Sequence, residues 1–252
     1  MIPVYSCAST LLLVLAIFTP AFANSSLSQS LQAVVVIADD MNTPYGEMQR
    51  FARSRPHAPW KKIGHASRVE LGKNGLAWGR GIVKILPQHS AIPQKLEGDG
   101  RSPAGVFFLG HILATPEGIN DLGFRHDVET ITPRHLCVED PASPYYNQLV
   151  NRDAITSPEL DTVQSTLLTS GLFTYAIYVG QNQPHPIPGG GSCVYLHLKR
   201  KDGDATAGCT ALHSNAMLTL LHWLNPKASP ILVQIPASAR SVAAQKTGLP
   251  LR

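Results

Sequence analysis

Charged side chains are scarce in this sequence: Asp, Glu, Lys and Arg make up 15% of its 252 residues, and the formal net charge is only +4. The densest basic run is Lys199-Arg200-Lys201, and no basic stripe of the kind that binds nucleic acid is visible. We therefore expect no nucleic-acid partner. Hydrophobic residues make up 44% of the chain, which argues for a folded globular protein and against long disordered stretches.

The sequence also lacks an apolar run long enough to span a membrane. A short run, Leu11 to Phe18, is followed by Pro20 and by Ala21-Phe22-Ala23, and an apolar core that ends in A-x-A is typical of a cleaved secretory signal. Lys and Arg, which usually precede such a core, are missing here. We expect residues 1–23 to be removed on export and the mature chain to have no integral membrane segment. A retained membrane anchor is the alternative.

Cysteine is rare: the chain has four, and Cys7 lies within the expected signal. Because Cys7 precedes the apolar run, it is not in the position of a lipid-anchored cysteine, which argues against a lipoprotein. The mature chain keeps Cys137, Cys193 and Cys209. In an oxidising compartment an odd number implies either one disulfide with one free thiol or three free thiols. The spacing alone does not decide which two cysteines would pair.

Neither an internal repeat nor a linker divides the chain, so its length suits one sizeable core. Twenty prolines and twenty glycines are typical of turn-rich β structure. We expect residues 31–237 to form one mainly β domain with a few packed helices, and residues 238–252 to form a polar, peripheral C-terminal tail. The predicted strands are Val34–Ala38, Tyr175–Val179, Cys193–Leu198 and Ile231–Ile235; the predicted helices are Gly46–Ala52, Asp161–Leu168 and Ser214–Leu224, the last with Ser214 as N-cap.

One strand and the loop after it carry the residues with catalytic potential. Alternation along Cys193–Leu198 puts the aliphatic side chains on one face and His197 on the other. Cys209 follows a polar loop and lies just ahead of the helix predicted from Ser214. A helix N-terminus favours a thiolate, and backbone N–H groups there can stabilise an oxyanion, while Gly208 lets a substrate approach. We predict Cys209 as nucleophile and His197 as its base; an inert buried thiol and a structural histidine are the alternatives.

Two rival assignments use the same side chains. The pairs Cys193/His197 and Cys209/His213 resemble metal-ligand spacings, but four residues along a strand cover about 13 Å, too far for two ligands of one ion. We therefore expect no metal and no cofactor. His213 would share a helix face with Cys209 if the helix began at Cys209. Because Ser214 is predicted to cap that helix, His197 on a rigid strand is preferred as the base.

Two segments resemble landmarks of a known family. The segment from His197 to Leu212, with Gly208-Cys209 near its end, resembles the active-site signature of L,D-transpeptidase (YkuD-like) domains. Glu97 to Phe107 resembles that family's second landmark, a glycine-rich turn followed by a strand. The resemblance covers roughly residues 31 to 237. Three shorter segments resemble one branch of the family: Gly72–Gly79, Cys137–Asn147 and Gly191–Cys193.

The resemblance implies a YkuD-like β-sandwich and a periplasmic enzyme that transfers acyl groups on peptidoglycan stem peptides. Cys209 would attack the amide before a terminal D-residue, with His197 as base, and an amine acceptor would resolve the thioester into a cross-link. Gly208 and Thr210 are the predicted oxyanion or substrate-binding residues. An L,D-carboxypeptidase or amidase with the same chemistry and a non-catalytic wall-binding protein are the alternative functions.

The sequence departs from the family pattern at three positions around Cys209. Leu198 stands where glycine usually follows the base histidine, and Ala207 stands where the pattern has histidine. Ala211 stands where an arginine usually lies two residues after the cysteine. Since that arginine is a natural carboxylate clamp, substrate anchoring must differ in this chain.

The resemblance also bears on the other two cysteines. Cys137 and Cys193 both lie outside the Gly-Cys element, and the expected compartment is oxidising. We predict that they form a disulfide, which would stabilise the domain by about 2–4 kcal/mol.

Overall fold

The computed structural model describes residues 27–85, 93–122, 128–155, 160, 171–199 and 205–251. In this part of the chain β-strands predominate over helices, which confirms the predicted mainly β class. The helices with described bounds are α1 Pro116–Leu122, α2 Ser214–Trp223 and α3 Arg240–Thr247. The strands are β1 Gln32–Ala38, β2 Tyr45–Ala52, β3 Lys61–Glu70, β4 Leu76–Trp78, β5 Ser102–Ala114, β6 Val128–Thr130, β7 His135–Cys137, β8 Leu149–Asn151, β9 Tyr175–Val179, β10 Tyr195–Leu198, β11 Thr210–Leu212 and β12 Ile231–Pro236.

Ten of these strands form one sheet that closes on itself. Neighbouring strands follow the order β12-β1-β2-β3-β11-β10-β9-β5-β4, with β6 beside β5, and β12 pairs with β5 as well as with β1. Strand β5 makes this closure, because residues 105–108 pair with β12 and residues 109–114 pair with β9. Its register shifts between Leu109 and Ile112, and such an irregularity bends a strand.

The strands predicted from apolar runs are found. Val34–Ala38 lies within β1, Tyr175–Val179 is β9, and Ile231–Ile235 lies within β12. Strands β1 and β12 pair in parallel, with Ala33 opposite Ile231. Both are buried along almost their whole length, which explains why their sequences are continuous apolar runs and not alternating patterns.

The predicted helix Gly46–Ala52 is wrong, because these residues lie within strand β2. At its start the exposed Tyr45 and Glu47 alternate with the buried Gly46 and Met48, a period of two that fits a strand. Strand β2 pairs with β1 on one side and with β3 on the other. Pairing on both edges satisfies its backbone groups and outweighs the helix propensity of the segment.

Helix α2 confirms the helix predicted from Ser214. It buries Met217, Leu220 and Leu221 on one face, as the spacing indicated. Its N-cap is His213, however, and Ser214 is the first helical residue, so the predicted cap was one residue late. The predicted helix Asp161–Leu168 and the expected signal at residues 1–23 lie outside the described residues. Among the described helices, none is long and apolar enough to cross a membrane.

The C-terminal residues pack into the domain, contrary to the expected peripheral tail. Helix α3 buries Ala243, and Leu249 and Leu251 beyond it also belong to the main core. The indole N–H of Trp60 donates to the carbonyl oxygen of Thr247 at 3.2 Å, which connects the end of α3 to the residue directly before β3. One apolar residue every few positions is enough to bury a short helix whose overall composition is polar.

Two hydrophobic clusters lie on the two faces of strands β9 and β10. The strand predicted over Cys193–Leu198 begins two residues later, at Tyr195, and the aliphatic face predicted for it is confirmed, since it belongs to the main core. The opposite face is buried as well, because residues 128–151, which we name the cover segment, pack across it. The second cluster consists of Leu113, Ile131, Cys137, Ala176, Tyr178, Cys193 and Tyr195, with Leu149, Phe173 and Cys209 packed against it.

Candidate active site

The predicted base, His197, lies on β10, and the predicted nucleophile, Cys209, lies directly before the neighbouring strand β11. The two strands run parallel, with His197 opposite Ala211. Continuing this register back by two residues on each strand places Cys209 opposite Tyr195. Tyr195 and His197 are two residues apart on β10, so their side chains share one strand face. Cys209 also packs against the second cluster, to which Tyr195 belongs. The fold therefore brings the thiol and the imidazole to one face, diagonally across the strand pair.

His197 is held in one tautomer by its own strand. Its Nδ1 lies 2.7 Å from the carbonyl oxygen of Leu198. Because a carbonyl oxygen only accepts, Nδ1 carries the proton and Nε2 keeps a lone pair that can accept one. His197 as a whole is 6% exposed, and its ring lies 5.0 Å from the ring of Phe173, centroid to centroid. Burial lowers its pKa, an effect that the hydrogen bond to Leu198 opposes. His197 is therefore neutral at neutral pH, as a general base must be.

Cys209 is the free thiol among the described cysteines, and two hydroxyl groups hold its backbone. Its carbonyl oxygen accepts hydrogen bonds from Ser102 Oγ at 2.7 Å and from Thr206 Oγ1 at 2.6 Å. Its sulfur lies 3.7 Å from the carbonyl oxygen of Cys193, to which the thiol donates. A thiol used as a hydrogen-bond donor is the protonated form, and the fixed backbone gives the sulfur a defined position.

The resting state of this thiol differs from the one expected from the sequence. Burial raises the pKa of Cys209 to about 11, and the charge of Glu139 adds to this, whereas the Tyr195 backbone N–H and the charge of Lys95 oppose it. The expected help from a helix N-terminus is missing, because strand β11 lies between Cys209 and the first residue of α2, Ser214. The thiol and the imidazole are therefore both neutral at rest.

The other two predicted site residues have structural partners. The backbone N–H of Gly208 donates to Thr206 Oγ1 at 3.1 Å. The hydroxyl of Thr210 donates to Gln234 Oε1 at 2.8 Å inside the core, on the strand face opposite to the one that carries Cys209. The role of Gly208 and Thr210 toward an oxyanion or substrate stays a prediction.

The two sequence landmarks meet in space. Ser102, in the landmark Glu97–Phe107, joins the Cys209 carbonyl to the backbone N–H of Gly72, which donates to Ser102 Oγ at 2.8 Å. Residues 107 apart in sequence are thus linked directly at the nucleophile. Residue Ser102 was not singled out from the sequence, although it lies in a segment that was.

The turn before Ser102 is built around Asp99. Its carboxylate accepts from the backbone N–H groups of Leu96 and Arg101 at 2.9 and 2.8 Å, and from Lys95 Nζ at 2.6 Å. The Lys95 side chain is only 5% exposed. Lys95 had no signal in the sequence, because it is a single lysine 114 positions before Cys209 that only the fold brings to the site.

The predicted disulfide between Cys137 and Cys193 is confirmed, and it fastens the cover segment over the site. Asn147 Oδ1 accepts from the backbone N–H of Cys193 at 2.9 Å. Glu97 accepts from the hydroxyl of Tyr146 and, at 2.8 Å, from Ser192 Oγ. The cover segment is thus tied to Cys193, two residues before β10, by a covalent and a hydrogen bond, and to Glu97 of the second landmark by a hydrogen bond.

The metal alternative loses one of its four ligands to this disulfide, since Cys193 is bonded to Cys137 and has no free thiolate. Among the described residues no group of three or more His, Cys, Asp or Glu side chains could hold a metal ion. His213, the rival base, is exposed at the N-cap of α2.

No protein-family model, curated protein or solved structure matches the chain significantly. The functional argument therefore depends on the geometry of the site and on the residues that form it.

Proposed function

We propose that this protein is a periplasmic cysteine acyltransferase that acts on peptidoglycan stem peptides by L,D-transpeptidation through a Cys209 thioester. One observation carries the proposal: a free thiol and a neutral histidine with an available Nε2 share one strand face under a cover segment. A free thiol beside a base that a third group orients is the arrangement that nucleophilic catalysis requires, and the Leu198 carbonyl is that third group here. We include in the proposal a YkuD-like β-sandwich as the finer architecture of the mainly β fold.

The proposed reaction has two acyl-transfer steps. In the first, the Cys209 sulfur attacks the carbonyl carbon of the amide before the terminal D-residue, and His197 Nε2 takes the thiol proton. The carbon–nitrogen bond then breaks, His197 returns the proton to the departing amine, and a thioester remains on Cys209. In the second, an acceptor amine attacks the thioester carbon, a proton passes through His197 to the sulfur, and a new amide forms.

The raised pKa of Cys209 fits this order of events. Since the resting thiol is protonated, the thiolate forms only as the proton moves to His197 during attack. Such a site keeps a strong nucleophile masked until a substrate is in place. The arginine clamp that the family pattern has at position 211 is replaced by Ala211, so the donor carboxylate must be held by another group.

The test is incubation of the purified mature protein with muropeptides, with products resolved by mass and Cys209→Ser as the matched control. A cross-linked product that the control does not form supports transpeptidation. A stem peptide that has lost only its terminal residue indicates a carboxypeptidase that uses the same site. A stem peptide cleaved elsewhere indicates an amidase, and either result overturns transpeptidation. Unchanged muropeptides with both proteins overturn the catalytic proposal and leave a wall-binding protein.

A further inference from the structure

A buried cation lies at the loop that carries the nucleophile. The Lys95 ammonium is placed between two glycines: a Cβ built on Gly191 would lie 3.4 Å from Nζ, and one built on Gly208 would lie 3.8 Å away. Gly208 directly precedes Cys209. Because neither glycine has a side chain, the ammonium approaches the backbone beside the sulfur closely, and a larger residue at Gly191 would collide with the lysine stem.

The charge of Lys95 is only partly neutralised by its partners. An ammonium has three donors, and Lys95 Nζ uses two of them, on the Leu96 carbonyl oxygen at 2.7 Å and on Asp99 Oδ1 at 2.6 Å. Asp99 also accepts from the backbone N–H groups of Leu96 and Arg101, so its negative charge is shared among several donors. Part of the positive charge of Lys95 is therefore left to act on a nearby sulfur, and the burial of its side chain, 5% exposed, strengthens that effect.

We propose that Lys95 is a positioning residue of the nucleophile, whose ammonium stabilises the negative charge on the Cys209 sulfur when its proton leaves. This rests on Cys209 being the nucleophile of the proposed function. Within the part of the chain that the structure describes, the other ionisable groups around the sulfur are His197 and Tyr195 on β10 and Glu139 on the cover segment. Tyr195 stays neutral because burial raises its pKa, and Glu139 repels a thiolate, so among the described residues Lys95 is the cation that stabilises the thiolate.

The experiment measures alkylation of Cys209 by neutral iodoacetamide and by anionic iodoacetate at pH 8, followed by intact mass. In each reaction a sulfur–carbon bond forms, iodide leaves and the thiol proton passes to solvent. We expect Lys95→Met to react about tenfold more slowly with iodoacetamide, because the thiolate fraction falls. The ratio of the iodoacetate rate to the iodoacetamide rate should fall about threefold, because the anionic reagent also loses its attraction to the Lys95 ammonium.

Two matched variants accompany this measurement. Lys95→Arg keeps the charge and should restore both the rate and the ratio to within about threefold of the unsubstituted protein. Lys199→Met removes another lysine buried to a similar degree, 6% exposed and 3.3 Å from Glu70, and should leave both values near those of the unsubstituted protein. A purely structural lysine would change the two reagents equally, so the proposal requires the lower rate, the lower ratio and the rescue by arginine together. Failure of any one of the three overturns it.

If Lys95→Met does not fold, Asp99→Asn decides the question with the opposite sign. Removing the partner carboxylate leaves the ammonium less neutralised, so the iodoacetamide rate should rise about threefold. An unchanged or lower rate overturns the role of Lys95. Alkylation needs no peptide substrate: a protein inactive on muropeptides whose thiol still responds to Lys95 refutes the proposed function alone.

Discussion

The disulfide between Cys137 and Cys193 offers a stability prediction whose size follows from the structure. The bond joins residues 56 positions apart. In the chain-entropy model, closing a loop of that length in the unfolded chain corresponds to about 4 kcal/mol at 25 °C. Both cysteines are also buried in the second cluster, so replacing the sulfurs with hydrogen removes buried packing worth roughly a further 1 kcal/mol. We expect Cys137→Ala/Cys193→Ala to lose about 4–5 kcal/mol, or roughly 10–15 °C in Tm.

Urea unfolding followed by circular dichroism and tryptophan fluorescence measures this loss. Reducing the unsubstituted protein with dithiothreitol should lower its unfolding free energy by nearly the same amount, whereas the double variant should not respond to the reductant. Cys209→Ala, which keeps the disulfide, is the control for loss of a single, partly buried sulfur. A double variant within about 1 kcal/mol of the unsubstituted protein would refute the reasoning, because its loop entropy alone exceeds that value.

Three further outcomes are expected. His197→Ala should slow acylation of Cys209 by a β-lactam-type or stem-peptide probe by about 10²–10⁴-fold, while His213→Ala, at the exposed N-cap of α2, should keep most of the acylation rate. Intact mass measures the adduct, and circular dichroism checks that both variants fold. The reverse pattern would make His213 the base. Because burial raises the pKa of Cys209 to about 11, the iodoacetamide rate should keep rising about tenfold per pH unit from pH 7.5 to 9.5, and a plateau below pH 9 contradicts this. N-terminal sequencing of exported protein should begin after Ala23, and finding the apolar run Leu11 to Phe18 in that material would disprove the cleaved signal.

The parts of the fold that could be predicted are those where one local signal decides the structure. Strands β1, β9 and β12 are short apolar runs buried on both faces, so no other element competes for them. Strand β2 was missed because Glu47, Met48, Gln49 and Arg50 are all good helix formers. Pairing with β1 and β3 decides its conformation, and such pairing partners have no trace in the segment itself.

For the site, the residue types could be predicted and the environment could not. Cys209 and His197 were found because a thiol and an imidazole in a loop and strand have a recognisable chemistry. The three-residue strand β11 is too short to show a period, so the helix was expected next to Cys209. A helix N-terminus would lower the pKa of the thiol, whereas in the structure burial raises it. Lys95 comes close to Gly208, the residue before Cys209, only through the tertiary fold, which a single lysine in the sequence cannot indicate.

The raised pKa of Cys209 and the lowered pKa of His197 have one cause, the burial of this strand face beneath the cover segment and Phe173. Loosening the cover should therefore make the thiol more acidic and more accessible, while it removes the wall against which a peptide would be held. In the double variant Cys137→Ala/Cys193→Ala, alkylation of Cys209 by iodoacetamide should become faster and acylation by a stem-peptide probe slower. A uniform change in both rates would mean that the cover segment affects the thiol alone and has no part in holding the substrate.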